Sequence, residues 1–140
     1  MAELNATLAA AVSGLKAQTT RLRIAAENVA NANSTAAEPG GDPYRRRVPV
    51  FEPVLLQALG QPRVRGVRVA TAEDDPSPFG QRYQPGHPAA NEAGYVLTPN
   101  VDTLAELMDM REAQRAYESN LNMIDAARAM GERALDVLRR

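Results

Sequence analysis

The sequence predicts a mainly α-helical fold in which two long terminal helices flank a small β-containing middle segment. All ten prolines of the 140-residue chain lie between residues 39 and 99, so both ends lack the strongest helix breaker. Both ends also carry apolar residues at alternating steps of three and four, the spacing of a coiled-coil seam. We therefore expect the terminal helices to pair as a coiled coil or helical bundle.

The first predicted element is an N-terminal helix over residues 3 to about 32, which forms the first part (1–33) of an inner coiled-coil domain. Alanine is abundant there, and Gly14 is the only position that weakens a helix. Asn31 and the polar residues after it favour a helix end, and residues 34–43 are predicted to form a linker because they are rich in proline and glycine. The stripe of this helix consists of Leu4, Leu8, Ala11, Leu15, Gln18, Leu22, Ala25 and Val29.

The middle segment, residues 44–98, is predicted to be β-rich and irregular. Pro49 indicates an edge strand or a bulge, because proline cannot donate a hydrogen bond to a neighbouring strand. Valines alternate with arginines further on, in a strand that Gly66 is expected to kink. The predicted elements are a strand over 44–52, a short helix over 54–59, a strand over 64–69, an ordered loop or ribbon over 73–94 and a strand over 95–97.

The last predicted element is a helix that runs to the C-terminus within residues 99–140. Pro99 ends the preceding strand, and Asn100 is a suitable N-cap for a helix that starts at Val101, with Asp102 in its first turn. The stripe of this helix consists of Leu107, Met110, Gln114, Tyr117, Leu121, Ile124, Arg128, Gly131, Leu135 and Leu138.

The two stripes predict contacts with more than one neighbouring helix. Polar residues such as Gln18 and Gln114 interrupt them, and many alanines line their flanks and permit close approach. This composition favours a multi-helix lattice of subunits, while an antiparallel hairpin within one domain is the alternative. The residues expected to pack between subunits are Leu4, Leu8, Leu15, Leu22, Val29, Leu107, Met110, Tyr117, Leu121, Ile124, Leu135 and Leu138.

Charge is unevenly distributed along the middle segment. Residues 44–70 contain six arginines and one glutamate, whereas residues 71–92 contain four acidic residues and one arginine. Two patches of opposite sign can join neighbouring subunits, and a basic patch can bind nucleic acid. The arginine triplet 45–47 has two interpretations: a solvated strand edge that opposes aggregation, or an ion pair between subunits.

The residue inventory supports neither catalysis nor binding of a cofactor or metal. The chain has no cysteine, and its single histidine, His87, lies in a Pro-Gly-His-Pro turn. The acidic run 73–75 is typical of a solvated turn, and no phosphate-binding glycine motif is present. No apolar run approaches the roughly 20 residues needed to span a bilayer. The N-terminus lacks the pattern of a secretory signal, so we expect any export to use another route.

Several segments resemble the flagellar rod and hook proteins, the axial-protein family. Residues 25–35 are similar to the asparagine-rich end of the family's N-terminal helix, with Val29 where leucine is usual. Residues 75–102 are similar in order and spacing to the short proximal-rod branch, and residues 115–120 resemble the shared C-terminal helix. The positions that carry this family motif are Asn28, Asn31, Pro99, Asn100, Arg115 and Tyr117.

The resemblance implies a structural subunit without enzymatic activity, cofactor, nucleic acid or small-molecule substrate. Its terminal helices would pair in the inner layer of the periplasmic rod, the drive shaft that transmits torque from motor to hook. Its partners would be copies of itself, rod proteins of the FlgB, FlgF and FlgG types, the FliE adaptor and the flagellar type III export apparatus. Asn28 and Asn31 are expected to bond the turn or a neighbouring subunit's backbone. The ends of the free monomer are expected to fold on assembly.

Two other classes of protein fit the residues alone. A cytoplasmic helical regulatory or interaction protein, or a small enzyme, could use the same helices as an antiparallel coiled coil, and a compact, well-ordered monomer would favour it. A nucleic-acid-binding module would use the arginine-rich segment, and strongly salt-dependent binding would favour that class.

Overall fold

The computed structural model describes residues 2–56 and 64–139. Two long helices and four short strands follow one another along the chain. They are α1 (Ala2–Ala30), β1 (Arg47–Leu56), β2 (Val64–Asp74), β3 (Gly80–Tyr83), β4 (Tyr95–Thr98) and α2 (Thr103–Leu138). The prediction of a mainly α-helical chain with a small β middle is confirmed.

The two helices pack against each other in antiparallel orientation. The Arg21 guanidinium near the end of α1 lies 3.4 Å from the Asp109 carboxylate near the start of α2. Further along the pair, Gly14 of α1 lies against Asn120 of α2: a Cβ added to Gly14 would stand 2.7 Å from Asn120 Nδ2. Gly14, the weak position of the predicted helix, therefore permits the close approach of the two helices.

The side of α2 that faces α1 agrees with the predicted stripe only in part. The stripe residue Ile124 is buried, as predicted. Elsewhere the contact lies one residue before the stripe: Ala113 and Ala127 are fully buried, whereas the predicted stripe residues Gln114 and Arg128 are exposed. Several of the larger apolar side chains of α2 are left beside the contact or on the outer surface.

The opposite side of α1 carries an antiparallel hairpin formed by β1 and β2. The Ser13 hydroxyl of α1 fastens it, because its Oγ accepts a hydrogen bond of 3.1 Å from the Val67 backbone N–H and donates one of 2.7 Å to the Ala10 carbonyl. A bulge lies between Val50 and Phe51, directly after Pro49, as the proline predicts.

The predicted short helix over residues 54–59 is wrong for the part that the structure describes. Residues 54–56 continue β1 and pair with β2, and residues 57–59 lie outside the described part of the chain. Val54 and Leu56 face α1 across a groove, so pairing with β2 and contact with the helix together favour the strand. Tertiary contacts here override the local preference that the preceding proline suggests.

The remaining strands, β3 and β4, form a second small antiparallel sheet. The rings of Tyr83 and Tyr95 meet edge to face with their centroids 5.4 Å apart. Gly94, before β4, has a φ of 86°, and a Cβ on it would stand 2.9 Å from the Tyr83 ring. Strand β3 lies inside the predicted ribbon over 73–94, and β4 agrees with the predicted last strand.

The N-cap of α2 is Asp102 rather than the predicted Asn100. The Asp102 carboxylate accepts hydrogen bonds from the backbone N–H groups of Leu104 and Ala105, at 3.0 and 3.4 Å. An aspartate at this position also opposes the positive end of the helix dipole. The Asn100 side chain makes a different set of contacts, described below. None of the helices in the described part of the chain is long and apolar enough to cross a membrane.

Candidate assembly site

A buried polar cluster joins the end of α1, the start of β1 and the start of α2. Its first member is Asn28, which is 1% exposed. The Asn28 side-chain amide donates to the Arg47 carbonyl at 2.8 Å, and its oxygen accepts from the Arg47 N–H at 3.0 Å and from the Tyr44 hydroxyl at 2.8 Å. The asparagine thus bonds both backbone groups of Arg47, as a partner strand would.

The second member is the ion pair between Arg46 and Glu106. The Glu106 carboxylate is 2% exposed; it accepts from the Arg46 guanidinium and, at 3.1 Å, from the Asn28 amide. Arg46 also lies 3.2 Å from the Asp75 carboxylate and 3.6 Å from the Asp109 carboxylate. Burial opposes the charged guanidinium, but the Glu106 and Asp75 carboxylates outweigh it and raise the pKa of Arg46. The buried carboxylate is therefore both neutralised and hydrogen-bonded, which a buried charge requires.

Asn100 completes the cluster from the loop before α2. Its side-chain oxygen accepts from the Arg46 N–H at 2.7 Å, and its amide donates to the carbonyls of Asp75 and Ser77, each at 3.1 Å. Arg45 donates to the same two carbonyls and stacks over the Phe79 ring at 4.2 Å from its centroid. The loop after β2 is thus held against the start of β1. We call the set Asn28, Arg46, Asp75, Asn100 and Glu106 the clasp.

Two further ionisable groups respond to the clasp. The Ser77 hydroxyl and N–H donate to the Asp75 carboxylate, and together with Arg46 they lower the pKa of Asp75. Burial, together with the Glu27 carboxylate, raises the pKa of Tyr44. Both shifts favour the protonation states found at neutral pH, in which the Asp75 carboxylate is charged and the Tyr44 hydroxyl donates to Asn28.

The structure gives each arginine of the triplet a partner within its own chain. Arg45 and Arg46 bind groups of their own chain, and Arg47 lies 3.7 Å from the Glu27 carboxylate of α1. The triplet is therefore not simply a solvated edge, and an ion pair between subunits stays a prediction. Sequence reasoning gave Glu106 no role in a site. The one available signal was its position directly before Leu107, where a charge borders an apolar stripe.

The residues of the family motif separate into two groups. Asn28, Asn100 and the buried Pro99 lie at or beside the clasp, whereas Arg115 and Tyr117 lie further along α2, exposed and half-buried respectively. Asn28 bonds the Arg47 backbone of its own chain, rather than the turn or a neighbouring subunit as predicted.

Asn31 acts at the end of α1. Its amide donates to the Glu27 carbonyl at 2.8 Å, and its own carbonyl accepts from the N–H and the hydroxyl of Ser34. The Asn31 side chain therefore bonds the last turn of α1, and its backbone carbonyl holds the turn that follows the helix.

The residues predicted to pack between subunits differ widely in exposure. The five from α1, together with Met110 and Tyr117 of α2, are half-buried. Ile124 is already buried within its own chain. The exposed fractions of the other four are 45% for Leu107, 42% for Leu121, 52% for Leu135 and 82% for Leu138.

Parts of the two predicted stripes meet along one side of the helix pair. There, Leu22 of α1 and the first turns of α2 line an open groove of about 370 Å³. Leu104 and Met108, which were not among the predicted packing residues, are 68% and 64% exposed beside it. We call this surface the outer groove; its apolar lining is Leu22, Leu104, Leu107, Met108 and Met110.

Within residues 2–56 and 64–139, no three histidine, aspartate or glutamate side chains come together in a way that could hold a metal ion. His87 lies in a turn, where its Nδ1 accepts from the Ala89 N–H at 3.0 Å and its Nε2 is 3.4 Å from the Thr35 hydroxyl. Both ring nitrogens thus have partners that hold the turn against the residues after α1.

Comparison with known proteins gives matches over the whole chain. Residues 8–36 match a family described as flagella basal body rod protein, and residues 92–137 match the C-terminal family of the flagellar basal body rod FlgEFG proteins. The flagellar basal-body rod protein FlgC of Agrobacterium fabrum is 43% identical over 139 residues, which cover 99% of this chain and 98% of that protein. The FlgC proteins of Borreliella burgdorferi and Salmonella typhimurium are 38% and 39% identical, over 91% and 84% of this chain and 93% and 85% of their own lengths.

Proposed function

Because this chain belongs to the FlgC family of flagellar basal-body rod proteins and is therefore a structural rod subunit rather than an enzyme, we propose that it builds the periplasmic drive shaft through its terminal helices. Copies and neighbouring rod proteins would bundle these helices around the axis and so transmit torque from motor to hook. Family membership decides against the regulatory protein and the nucleic-acid-binding module as alternatives.

The observation that carries this proposal is the apolar outer side of α2. Leu107 and Leu121 are nearly half exposed, and Leu104 and Met108 are about two-thirds exposed. Large apolar side chains exposed together, as Leu104, Leu107 and Met108 are beside the outer groove, are typical of an interaction surface. Covering each large apolar side chain contributes roughly 1.5–3 kcal/mol, so a few such residues stabilise a packed helix bundle. The coiled-coil pairing expected from the stripes would then form between subunits along the outer groove.

The clasp supports a mechanical role. It joins α1, β1, the loop after β2 and α2 by charged and neutral hydrogen bonds, and those between the buried side chains of Asn28 and Glu106 are shielded from water. Shielded ion pairs and hydrogen bonds resist displacement more than exposed ones do, because water competes with them less. The hairpin and the helix pair would therefore turn as one body under load.

The proposal also covers how the chain is exported and which proteins lie next to it in the rod. We expect export through the flagellar type III apparatus, with FlgB-, FlgF- and FlgG-type rod proteins and a FliE-type adaptor as neighbours. The chain has no cysteine that could cross-link it before passage through a narrow channel.

The test introduces an aspartate into the outer groove. Leu107→Asp should leave the helix content of the purified chain unchanged, because Leu107 is 45% exposed, yet it should abolish rod assembly by burying an unpaired charge between subunits. Measurements are swimming in soft agar, recovery of basal bodies and the amount of secreted subunit, which separates export from assembly. Ser119→Asp adds the same charge at an exposed polar position of α2 and should assemble normally. A motile Leu107→Asp strain with intact basal bodies would contradict the proposal.

A further inference from the structure

Methionine is concentrated on the helix that carries the exposed apolar surface. Within residues 2–56 and 64–139, every methionine lies in α2, at positions 108, 110, 123 and 130. Met108, Met123 and Met130 are 64%, 51% and 57% exposed, whereas Met110 is half-buried. Three thioether side chains are therefore open to small reagents in solution.

The three exposed methionines share one side of α2. Met123 and Met130 are about two turns apart, and Met108 precedes Met123 by about four turns. At 3.6 residues per turn, the three lie within about 60° of one another around the helix axis. Met108 also lines the outer groove beside Leu104, and Met130 lines a depression beside Leu4 of α1. A neighbour that covers this side of α2 therefore covers thioether sulfur.

Thioether sulfur is the only sulfur in this chain, because the chain has no cysteine. The reduced methionine side chain is flexible and polarisable, so it fits irregular apolar contacts. Oxidation to the sulfoxide adds a polar S=O group that disrupts such contacts, and enzymes that reduce methionine sulfoxide reverse the change. Oxidation of sulfur in this chain should therefore follow the exposure of its methionines.

We propose that Met108, Met123 and Met130 form an oxidation-sensitive site that controls whether a free subunit can enter the rod. The sulfur lone pair attacks an oxygen of a two-electron oxidant, either hydrogen peroxide or hypochlorous acid. An S–O bond forms while the O–O or O–Cl bond breaks. The sulfur loses two electrons, and the oxidant leaves as water, or as chloride and a proton. This inference rests on the proposed function, because it requires that neighbours cover this side of α2.

The sulfoxide should affect docking far more than it affects the fold. In the free chain, an S=O group at an exposed position stays hydrated, so the contact between α1 and α2 is unchanged. In a packed bundle the same group loses its water, and a buried polar group without a partner should weaken docking about tenfold or more. A sulfoxide thus keeps a copy out of the rod, whereas a docked copy is shielded from the oxidant.

The first test measures which methionines react in the purified chain. Limited treatment with hydrogen peroxide, followed by peptide mass mapping, should give sulfoxide at Met108, Met123 and Met130 several-fold faster than at Met110. Met110 is an internal control, because it lines the same outer groove as Met108 but is half-buried. Circular dichroism should show unchanged helix content. If Met110 reacts as fast as Met108, exposure does not define the site and the inference is overturned.

The second test uses substitutions that separate polarity from shape. Glutamine is polar and uncharged, as a methionine sulfoxide is, whereas leucine keeps the position apolar. Met108→Gln, Met123→Gln and Met130→Gln together should reduce the recovery of basal bodies about tenfold or more. The matched chain with leucine at all three positions should assemble normally. Urea denaturation checks that both chains fold, and the amount of secreted subunit separates export from assembly.

A competition within one culture tests oxidation itself. The unmodified chain is expressed as the only copy during sublethal exposure to hypochlorous acid, and sulfoxide is then measured in free secreted subunits and in basal bodies. Sulfoxide at the three exposed methionines should be about tenfold rarer in the basal bodies. The leucine variant should give more basal bodies than the unmodified chain under the same exposure. Equal losses for the two chains would place the sensitivity elsewhere and overturn the inference.

The outcomes distinguish this inference from the proposed function. If Leu107→Asp abolishes assembly while the glutamine variant builds normal basal bodies, the inference is overturned and the proposed function stands. The same holds if free and assembled copies carry equal amounts of sulfoxide. If Leu107→Asp also builds normal basal bodies, the proposed function fails and the inference fails with it.

Discussion

The clasp and the outer side of α2 differ in which side chains they bury and which they expose to water. In the clasp, the Glu106 and Asn28 side chains are buried and each finds a partner: Glu106 meets Arg46, and Asn28 meets the backbone of Arg47. On the outer side of α2, large apolar side chains such as Leu104 and Met108 remain exposed to water. The clasp is therefore complete within the monomer, whereas the outer side of α2 has the exposed apolar residues that we propose a neighbour covers.

The difference teaches where each kind of contact is useful. Polar pairs have strict geometry, so the clasp specifies one arrangement of hairpin and helices. Apolar contacts are non-directional and tolerate small rotations. A rod subunit needs a fixed internal shape and neighbours that fit around a curved shaft. The distribution of polar contacts inside and apolar contacts outside meets both needs.

The largest effect should follow from breaking the clasp. Arg46→Met leaves the Glu106 carboxylate, 2% exposed, without its counter-ion. The free energy of unfolding should fall by roughly 3–5 kcal/mol, which urea denaturation of the purified chain measures. Arg68→Met is the matched control: it removes the partner of Glu52 in a pair whose side chains are 64% and 36% exposed, and should cost about 0–1 kcal/mol.

A second change sharpens this prediction. Replacing both partners, as in Arg46→Met with Glu106→Met, removes the unpaired buried charge and should recover most of the lost stability. The double variant should nevertheless impair motility, if the ion pair fixes the position of the hairpin. Equal destabilisation by Arg46→Met and Arg68→Met would show that the clasp is no stronger than a surface pair.

The clasp marks the limit of what the sequence predicts. The two helices and three of the four strands follow from local patterns of apolar residues, proline and glycine. The Arg46–Glu106 pair joins positions far apart in the chain, and no local pattern indicates that they meet. The N-cap was misplaced for the same reason, since the Asn100 side chain is occupied by Arg46, Asp75 and Ser77.

The register of the helix contact could not be predicted from the apolar pattern either. A pattern of large apolar residues indicates the side of α2 that avoids water, but the fully buried positions of α2 include Ala113 and Ala127. The pattern therefore indicated Leu107 and Leu121, which are exposed in the monomer. Whether neighbours cover these two residues remains the proposal made above.

An intermediate effect should follow from exchanging large and small residues between the two sides of α2. Ala127→Leu overpacks a fully buried position and should lower the free energy of unfolding of the isolated chain by about 1–3 kcal/mol. Leu121→Ala, at a position 42% exposed, should cost less than about 1 kcal/mol in the same measurement. Urea denaturation compares the two variants directly.

The order of the two variants should reverse when rod assembly is measured instead of the stability of the isolated chain. In recovered basal bodies, Leu121→Ala should remove the proposed contact between subunits, whereas Ala127→Leu should leave the outer surface unchanged. Leu121→Ala should therefore reduce rod recovery more than Ala127→Leu does, when compared at equal amounts of secreted subunit. A Leu121→Ala chain that is strongly destabilised as a monomer would place Leu121 in the interior and remove the distinction between the two sides of α2.

The smallest expected effect is the loss of folding stability at acidic pH. The Ser77 donors and Arg46 lower the pKa of Asp75 in the folded chain, so its carboxylate stabilises the fold above the ordinary aspartate pKa. That contribution should fall away below about pH 4, as Asp75 becomes protonated in the folded chain as well. Urea denaturation from about pH 6 to about pH 3 should show stability falling with pH, and less steeply in Asp75→Asn. Asp74→Asn changes the neighbouring, exposed carboxylate and should retain the steeper dependence. If both variants follow the unmodified chain, the acid sensitivity does not come from the clasp.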